Sequence, residues 1–266
     1  MISRDFETLA VETPQAGVLL VRINRPQVAN ALNTQAWEDI GALWTELAND
    51  PGEARCAIFT GAGERAFCAG GDLKERNGMA DEAWRRQHEQ IERALRALLD
   101  CPIPVVAAVN GHAYAGGLEL VLACDFAYAV RTARFALTET TLGIMPGAGG
   151  TQTLPRAIGE RRAKEIILAA RPFSAEDAHR WGLVNRLCED LRELTEMALQ
   201  TAGAIAANAP LAVRQAKKAI GHGLQMDLRT ALRFEAEAYD RLVATEDRQE
   251  GVRAFNDKRK PVFRGR

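Results

Sequence analysis

An α/β core carrying a helical C-terminal extension is the fold class this sequence predicts, and three observations predict it. Short continuous apolar runs recur through the first half of the chain, as in strands buried on both faces. Stretches with three-to-four apolar spacing separate them. Beyond about Ser174, everything up to the basic tail reads as helical. A chain of 266 residues suffices for one large domain with a substantial core, or for a core with a smaller appendage.

Residues 17–23 (GVLLVRI) form the first buried run, and a polar loop follows over 24–33. Trp37, Ile40, Leu43, Trp44 and Leu47 then fall on one face of a helix. Residues 54–60 (ARCAIFT) read as the next strand, closed by Gly61-Ala62-Gly63. A glycine-bearing loop at 67–73 (FCAGGDL) leads into a polar helix over 81–99, and 105–109 (VVAAV) is another short strand. Gly116-Gly117 open a helix that enters the core through Leu118, Leu120, Val121 and Leu122, with a strand after it at 126–130. Phe135 opens the next unit. Residues 142–156 turn repeatedly around Pro146, Gly149-Gly150-Thr151 start a short helix, and Gly159 separates it from helical residues 161–169. Ser174 caps a helix with Glu176 and Asp177 in its first turn. Helices are expected at 193–207, 211–221, 228–245 and 248–256, before a basic, irregular tail at 258–266.

Composition excludes several classes. The formal net charge of -1 gives no general attraction to nucleic acid or an anionic membrane, while leaving room for a local cationic site. The first thirteen residues have acidic members and no long apolar run, unlike a signal or transit segment. No stretch approaches the roughly 18 apolar residues of a spanning helix. A soluble, cytoplasmic protein is expected. The five cysteines are dispersed and odd in number, which argues against a disulfide framework and for small buried side chains at four of them. With four histidines and neither HExxH nor clustered cysteines, no metal site is expected.

Four features carry chemical content. Ala69-Gly70-Gly71-Asp72 offers peptide N–H groups that no side chain screens, and Gly116-Gly117 lie where a helix begins and its N–H groups are free. Two such groups aimed at one oxygen would stabilise an enolate; equally, both glycine pairs serve tight turns and close helix–sheet packing. Glu119 stands early in the helix after Gly116, where it is either a partner for the helix dipole or, among Ala115, Leu118, Leu120, Val121 and Leu122, a carboxyl raised in pKa for proton transfer. Glu139 lies between two apolar stretches and is either a second such group or a loop carboxylate bonded to Thr138, Thr140 or Thr141. Cys68 and Cys101 lack a partner that would make either a nucleophile. His112 reads as structural ahead of a substrate contact, 146–151 (PGAGGT) as a GxGG that turns the chain ahead of a phosphate loop, and Lys217-Lys218 and 258–260 as solvated clusters by default, with phosphate contact the alternative.

Taken in order, NRP at 24–26 with NALN at 30–33, AFCAGGDLKE, NGHAYAGGLELVLACDF, LTETTLGIMPGAGGTQTLPR, SAEDAHRWGLVN, NAPLAVRQAKKAI and the terminal AFNDKRKPVF resemble the crotonase, or enoyl-CoA hydratase/isomerase, superfamily over essentially the whole chain. The resemblance implies an α/β, ClpP-like spiral of repeated ββα units, with residues 1–190 as the core domain and 191–266 as a helical trimerisation region, trimers usually pairing into hexamers. It implies an acyl-CoA thioester as substrate, with coenzyme A arriving as part of it and no separate cofactor. The N–H groups of Gly71 and Gly116 would hold the thioester oxygen. Arg25, Ala29, Ala69 and Lys74 fall where the family contacts coenzyme A, and Lys258 in a segment that reaches a neighbouring subunit's coenzyme A.

Glu119 and Glu139 fall at the paired glutamates of the hydratases. Glu119 would deprotonate water for attack at C3 of a trans-2-enoyl-CoA, and Glu139 would donate the proton to C2. An isomerase would need only the second. The sequences LTET and DLKER are also similar to the 3-methylglutaconyl-CoA hydratase subgroup, whose substrate carries a distal carboxylate. Arg76, Arg85 or Arg86, in the stretch after Gly71, would offer a cation for such a group, the sequence leaving their directions open. RNA binding, associated with some of that subgroup, is not expected from this composition.

Overall fold

A computed structural model of the protein describes residues 5–266. Residues 1–4, the head of the segment read as lacking a targeting signal, lie outside the described residues. Two sheets organise the core. The larger runs β1 (Leu9–Gln15), β2 (Val18–Ile23), β3 (Cys56–Gly61), β5 (Val105–Val109), β7 (Phe126–Val130) and β10 (Arg186–Cys188) in that spatial order. The smaller runs β4 (Ala66–Cys68), β6 (His112–Tyr114), β8 (Arg134–Ala136) and β9 (Phe173–Ser174).

The alternation between sheets defines the repeat. Strands β3, β5 and β7 are parallel neighbours in the large sheet, and the strand after each (β4, β6, β8) is a parallel neighbour in the small one. Each ββα unit thus adds one strand to each sheet and advances the spiral one position. The repeat implied by the family resemblance is what forms, continued by a C-terminal helical bundle. Because helices cover the parallel strands, β3 and β5 are buried along their whole lengths.

Helix α1 (Thr34–Asn49) buries Trp37, Ile40, Leu43, Trp44 and Leu47, the face read from the spacing. Asn33 caps it, its side chain accepting the Ala36 N–H at 3.0 Å. The one-turn helix α2 (Leu73–Arg76) leads to α3 (Asp81–Leu99), which packs on α1. Helix α4 (Gly116–Ala123) is buried almost completely. Helices α5 (Gly150–Ile158), α6 (Glu160–Ala169) and α7 (Ala175–Arg180) follow, the last capped by Ser174 as expected. Helix α8 (Leu191–Ala206) lies across the large sheet with Leu194, Ala198, Ala202 and Ala206 inward. Helices α9 (Pro210–Gly223), α10 (Leu228–Val243) and α11 (Glu246–Asn256) complete the chain.

Two expectations need correction. The region after Ser174 is not purely helical: β10 interrupts it and pairs with β7, its Arg186 opposite Tyr128. Nor is Lys217 solvated. Its Nζ donates to Asp125 at 2.7 Å and to the Ile103 carbonyl at 2.9 Å, tying α9 to the sheet. Asp125 has a second task, accepting the Val105 N–H at 2.7 Å, so helix anchor and strand start share one carboxylate.

Candidate active site

The fold presses two loops together, and each contributes one unscreened N–H group. After β4 the chain passes through Ala69 to Gly71 beside residues 29–32. The Ala69 N–H donates to the Ala29 carbonyl at 3.0 Å, Leu32 to Gly70 at 2.8 Å, and Asp72 to Leu32 at 2.9 Å. These bonds make an isolated parallel bridge between Leu32 and Gly71. In such a ladder the residue between the two bonded neighbours directs its own N–H to the opposite side, so the Gly71 N–H faces away from Leu32.

The second loop meets the first at Gly70. With φ at +92°, Gly70 holds a backbone conformation suited to glycine, and a Cβ on it would stand 2.7 Å from that of Ala115 and 3.4 Å from the Gly116 nitrogen. Ala115 also has positive φ (50°, with ψ −125°), a strained state for a residue with a side chain, costing about 1–3 kcal/mol. Its N–H donates to the Ala136 carbonyl at 2.8 Å, which holds the turn in place. Gly116 is the first residue of α4, where an N–H has no acceptor within the helix. Gly117 serves the packing role instead: a Cβ there would lie 2.2 Å from the Cys68 carbonyl oxygen.

Glu119 is one turn into α4, yet its partner is another helix. Its Oε1 accepts the N–H groups of Ala148 and Gly150, each at 2.8 Å, at the start of α5. The GxGG segment thus does more than turn the chain. A Cβ on Gly150 would fall 2.9 Å from that same oxygen, so the clamp depends on glycine. Glu119 is 2% exposed. Burial pushes its carboxyl up to about 7, the Gly150 and Ala148 N–H groups oppose that, and the Glu139 charge adds to it.

Glu139 starts a 3-10 turn, Glu139–Leu142, and is buried with neither carboxyl oxygen bonded to a protein group. Burial raises its pKa also. Of the three neighbouring threonines, two have hydroxyls engaged elsewhere, Thr140 with the Ile167 carbonyl and Thr141 with that of Thr138. Two buried carboxyls therefore stand at the site, Glu119 gripped by donors and raised further by the Glu139 charge, Glu139 with neither oxygen bonded.

Among the residues matched to coenzyme A contacts, Ala29 and Ala69 meet through their hydrogen bond, with Ala69 exposed. Arg25 bridges the loops, its Nη1 donating to the Ala31 carbonyl at 2.5 Å and to Asp72 at 3.1 Å. Lys74 is exposed on α2. Lys258 lies past α11, exposed, with no contact joining it to this group among the described residues. All five cysteines are free thiols; burial pushes Cys68 to about 12 and Cys101 to about 11, unsuited to nucleophilic work. His112 stacks on Tyr114, ring centroids 5.6 Å apart.

The backbone donors of Ala148 and Gly150 leave no side-chain signature in the sequence. The GxGG itself was the available signal, since bare backbone at a helix start is an anion grip.

The enoyl-CoA hydratase/isomerase family model matches residues 13–266. The chain is 42% identical over 243 residues to the short-chain-enoyl-CoA hydratase of Clostridium acetobutylicum, covering 91% of this chain and 92% of that one. It is 37% identical to the mitochondrial methylglutaconyl-CoA hydratase of Mus musculus over 258 residues, 96% of this chain and 82% of the other. The crystal structure of an enoyl-CoA hydratase from Bacillus anthracis superposes with a TM-score of 0.94 at 45% identity, covering 98% of this chain and all of that one. On sequence and on fold, this protein is an enzyme of the enoyl-CoA hydratase/isomerase family.

Proposed function

We propose that the protein is an enoyl-CoA hydratase, adding water reversibly across the C2=C3 bond of a trans-2-enoyl-CoA to give a 3-hydroxyacyl-CoA. The observation that carries this reading is the pair of buried carboxyls, Glu119 and Glu139, with unlike surroundings. An isomerase needs one base; two support the addition of water. The N–H donors on Glu119 hold its carboxylate against the upward push of burial, while Glu139, with no such donor, takes up or releases a proton without losing a hydrogen bond.

In hydration, ionised Glu119 takes a proton from water as the oxygen bonds to C3. The C2=C3 electron pair moves onto the thioester, whose oxygen accepts the N–H groups of Gly71 and Gly116. Glu139 then delivers its proton to C2, and dehydration reverses these steps. The C2 proton of a thioester is weakly acidic, so holding the developing charge matters most; one such donor is worth about 10²-fold in rate. Arg25, Ala29, Ala69 and Lys74 belong to the coenzyme A site in this reading, with Lys258 reaching the coenzyme A of a neighbouring subunit.

Residues 191–266 form the trimerisation region of the same proposal, with residues 1–190 as the catalytic core. In support, α9 to α11 leave Ile220, Leu224, Leu228, Tyr239 and Phe255 each more than half exposed, an apolar face of the kind subunits cover. A trimer, or a hexamer of two trimers, is the assembly in this reading. No helix among the described residues is long and apolar enough to cross a membrane. Free thiols suit a reducing compartment, and the cytoplasm is the proposed location.

Incubation with crotonyl-CoA, followed by loss of enoyl-thioester absorbance, tests the activity. Turnover with appearance of 3-hydroxybutyryl-CoA is expected. No loss with short, medium or branched enoyl-CoAs would exclude it.

A further inference from the structure

Arg76 is a half-buried cation beside Gly71, and hydration as derived above makes no use of it. Its guanidinium packs on the glycine backbone so closely that a Cβ on Gly71 would stand 3.1 Å from Nη1 and 3.2 Å from Cζ. The arrangement is built rather than incidental. Arg76 Nε donates to Gln87 Oε1 at 2.8 Å, and Gln87 is 3% exposed. The Gln87 amide is fixed in turn, its Nε2 donating to Thr34 Oγ1 at 2.8 Å and to Glu75 Oε2 at 2.9 Å. The Trp84 ring supports the guanidinium from one side, 4.6 Å from Cζ.

What Arg76 lacks is a bonded acid: the Glu75 charge acts on it, but from outside ion-pair distance. Among the described residues no carboxylate lies within ion-pair distance of it, and Nη1 and Nη2 have no hydrogen-bond partner. Glu75, the nearest in sequence, spends its carboxylate on Gln87 and on the Thr34 N–H. Burial lowers the Arg76 pKa, yet guanidinium stays charged in proteins. Of the three arginines in this stretch after Gly71, this one alone is so placed: Arg85 is exposed, and Arg86 is exposed and paired with Glu82.

The wall holding Arg76 also reaches the catalytic loop. His88, next to Gln87 on α3, lies so near Gly147 that a Cβ on that glycine would stand 2.8 Å from the imidazole. Gly147 precedes Ala148, whose N–H grips Glu119. Arg76 therefore stands beside the Gly71 donor and is held by α3, the helix whose His88 meets the Glu119 loop at Gly147. A fork of two free N–H-bearing nitrogens matches a carboxylate in geometry as well as charge.

We propose that Arg76 binds a carboxylate at C5 of the acyl chain, making this a site for short dicarboxylic enoyl-CoAs of the glutaconyl type. The proposal rests on the hydratase reading and names its substrate class. An unbranched fatty enoyl chain would leave the cation half-desolvated and unpaired, so selectivity arises from both the pair gained and the mismatch avoided.

The test compares hydration of glutaconyl-CoA and 3-methylglutaconyl-CoA with that of 5-methylhex-2-enoyl-CoA, in which CH(CH3)2 replaces the C5 carboxylate, in the wild type and in Arg76→Met and Arg76→Lys. The wild type should favour a carboxylate substrate over the isostere in kcat/KM by about tenfold or more. Arg76→Met should collapse that ratio, chiefly through KM, and Arg76→Lys should restore part of it. A wild type that hydrates the isostere as well as both carboxylate substrates overturns the proposal, whether or not the variants fold. So does an equal fall on all substrates in Arg76→Met, the signature of a role at the thioester oxygen or on coenzyme A. Failure to hydrate any of them, crotonyl-CoA included, would instead remove the hydratase reading itself.

Discussion

Glu119→Gln separates the cost of a buried carboxylate from its use. The amide oxygen of glutamine can still accept from Ala148 and Gly150, so the α5 clamp survives while the charge is removed. In the folded protein burial raises the Glu119 carboxyl from 4.5 to about 7. A group raised in this way binds its proton more tightly folded than unfolded, so its contribution to stability is complete below 4.5 and falls away as pH rises towards 7. The displacement corresponds to about 3 kcal/mol. The variant, neutral throughout, escapes that loss. Relative to wild type, its unfolding free energy should grow by up to about 3 kcal/mol between pH 4.5 and 8.5, or roughly 6–12 °C in Tm for a chain near this length. Thermal unfolding of both proteins at matched concentration, over a pH series, reads this difference directly. Hydration should meanwhile fall by about 10²-fold or more. A stability difference that stays constant with pH would refute the raised pKa and the electrostatic argument built on it.

Further outcomes follow from single contacts. Glu139→Gln should lower both hydration and C2 proton exchange by about 10²-fold, whereas Glu119→Gln should spare more of the exchange; loss of hydration alone in Glu139→Gln would contradict its role at C2. Gly117→Ala forces a Cβ to within 2.2 Å of the Cys68 carbonyl and should cost about 3 kcal/mol or prevent folding, read in denaturant titrations. Gly150→Ala should displace the Glu119 carboxylate and lower kcat by about tenfold or more with less change in KM, measured on crotonyl-CoA. Lys217→Met removes the partly buried pair with Asp125 and should lower unfolding free energy by about 1–2 kcal/mol.

What the sequence carried well was what periodicity reports. Helix α3 spans Asp81–Leu99, β5 Val105–Val109 and β7 Phe126–Val130, as read, because each is a long periodic stretch or a continuous apolar run. The second strand of each ββα unit was invisible from the pattern alone, since β4, β6 and β8 are three residues each, too short for a period of two to declare itself. Strand β10 was lost for the same reason, three residues between helical stretches. At the site, Glu119 and Glu139 stood out as acids in apolar company. Their inequality did not, because it is created by Ala148 and Gly150, which reach Glu119 from some thirty residues away and only through backbone atoms. Arg76, too, was one arginine among three until Gln87 and Trp84 fixed its direction.

Product analysis after incubation of crotonyl-CoA with the wild-type protein in D2O tests the central claim most directly. Water addition with Glu139 as proton donor predicts 3-hydroxybutyryl-CoA carrying one deuterium at C2, formed at a rate that Glu119→Gln abolishes. Deuterated but-3-enoyl-CoA without the 3-hydroxy product would assign the site to double-bond migration. Full hydration by Glu119→Gln would contradict the role given to the buried carboxylate.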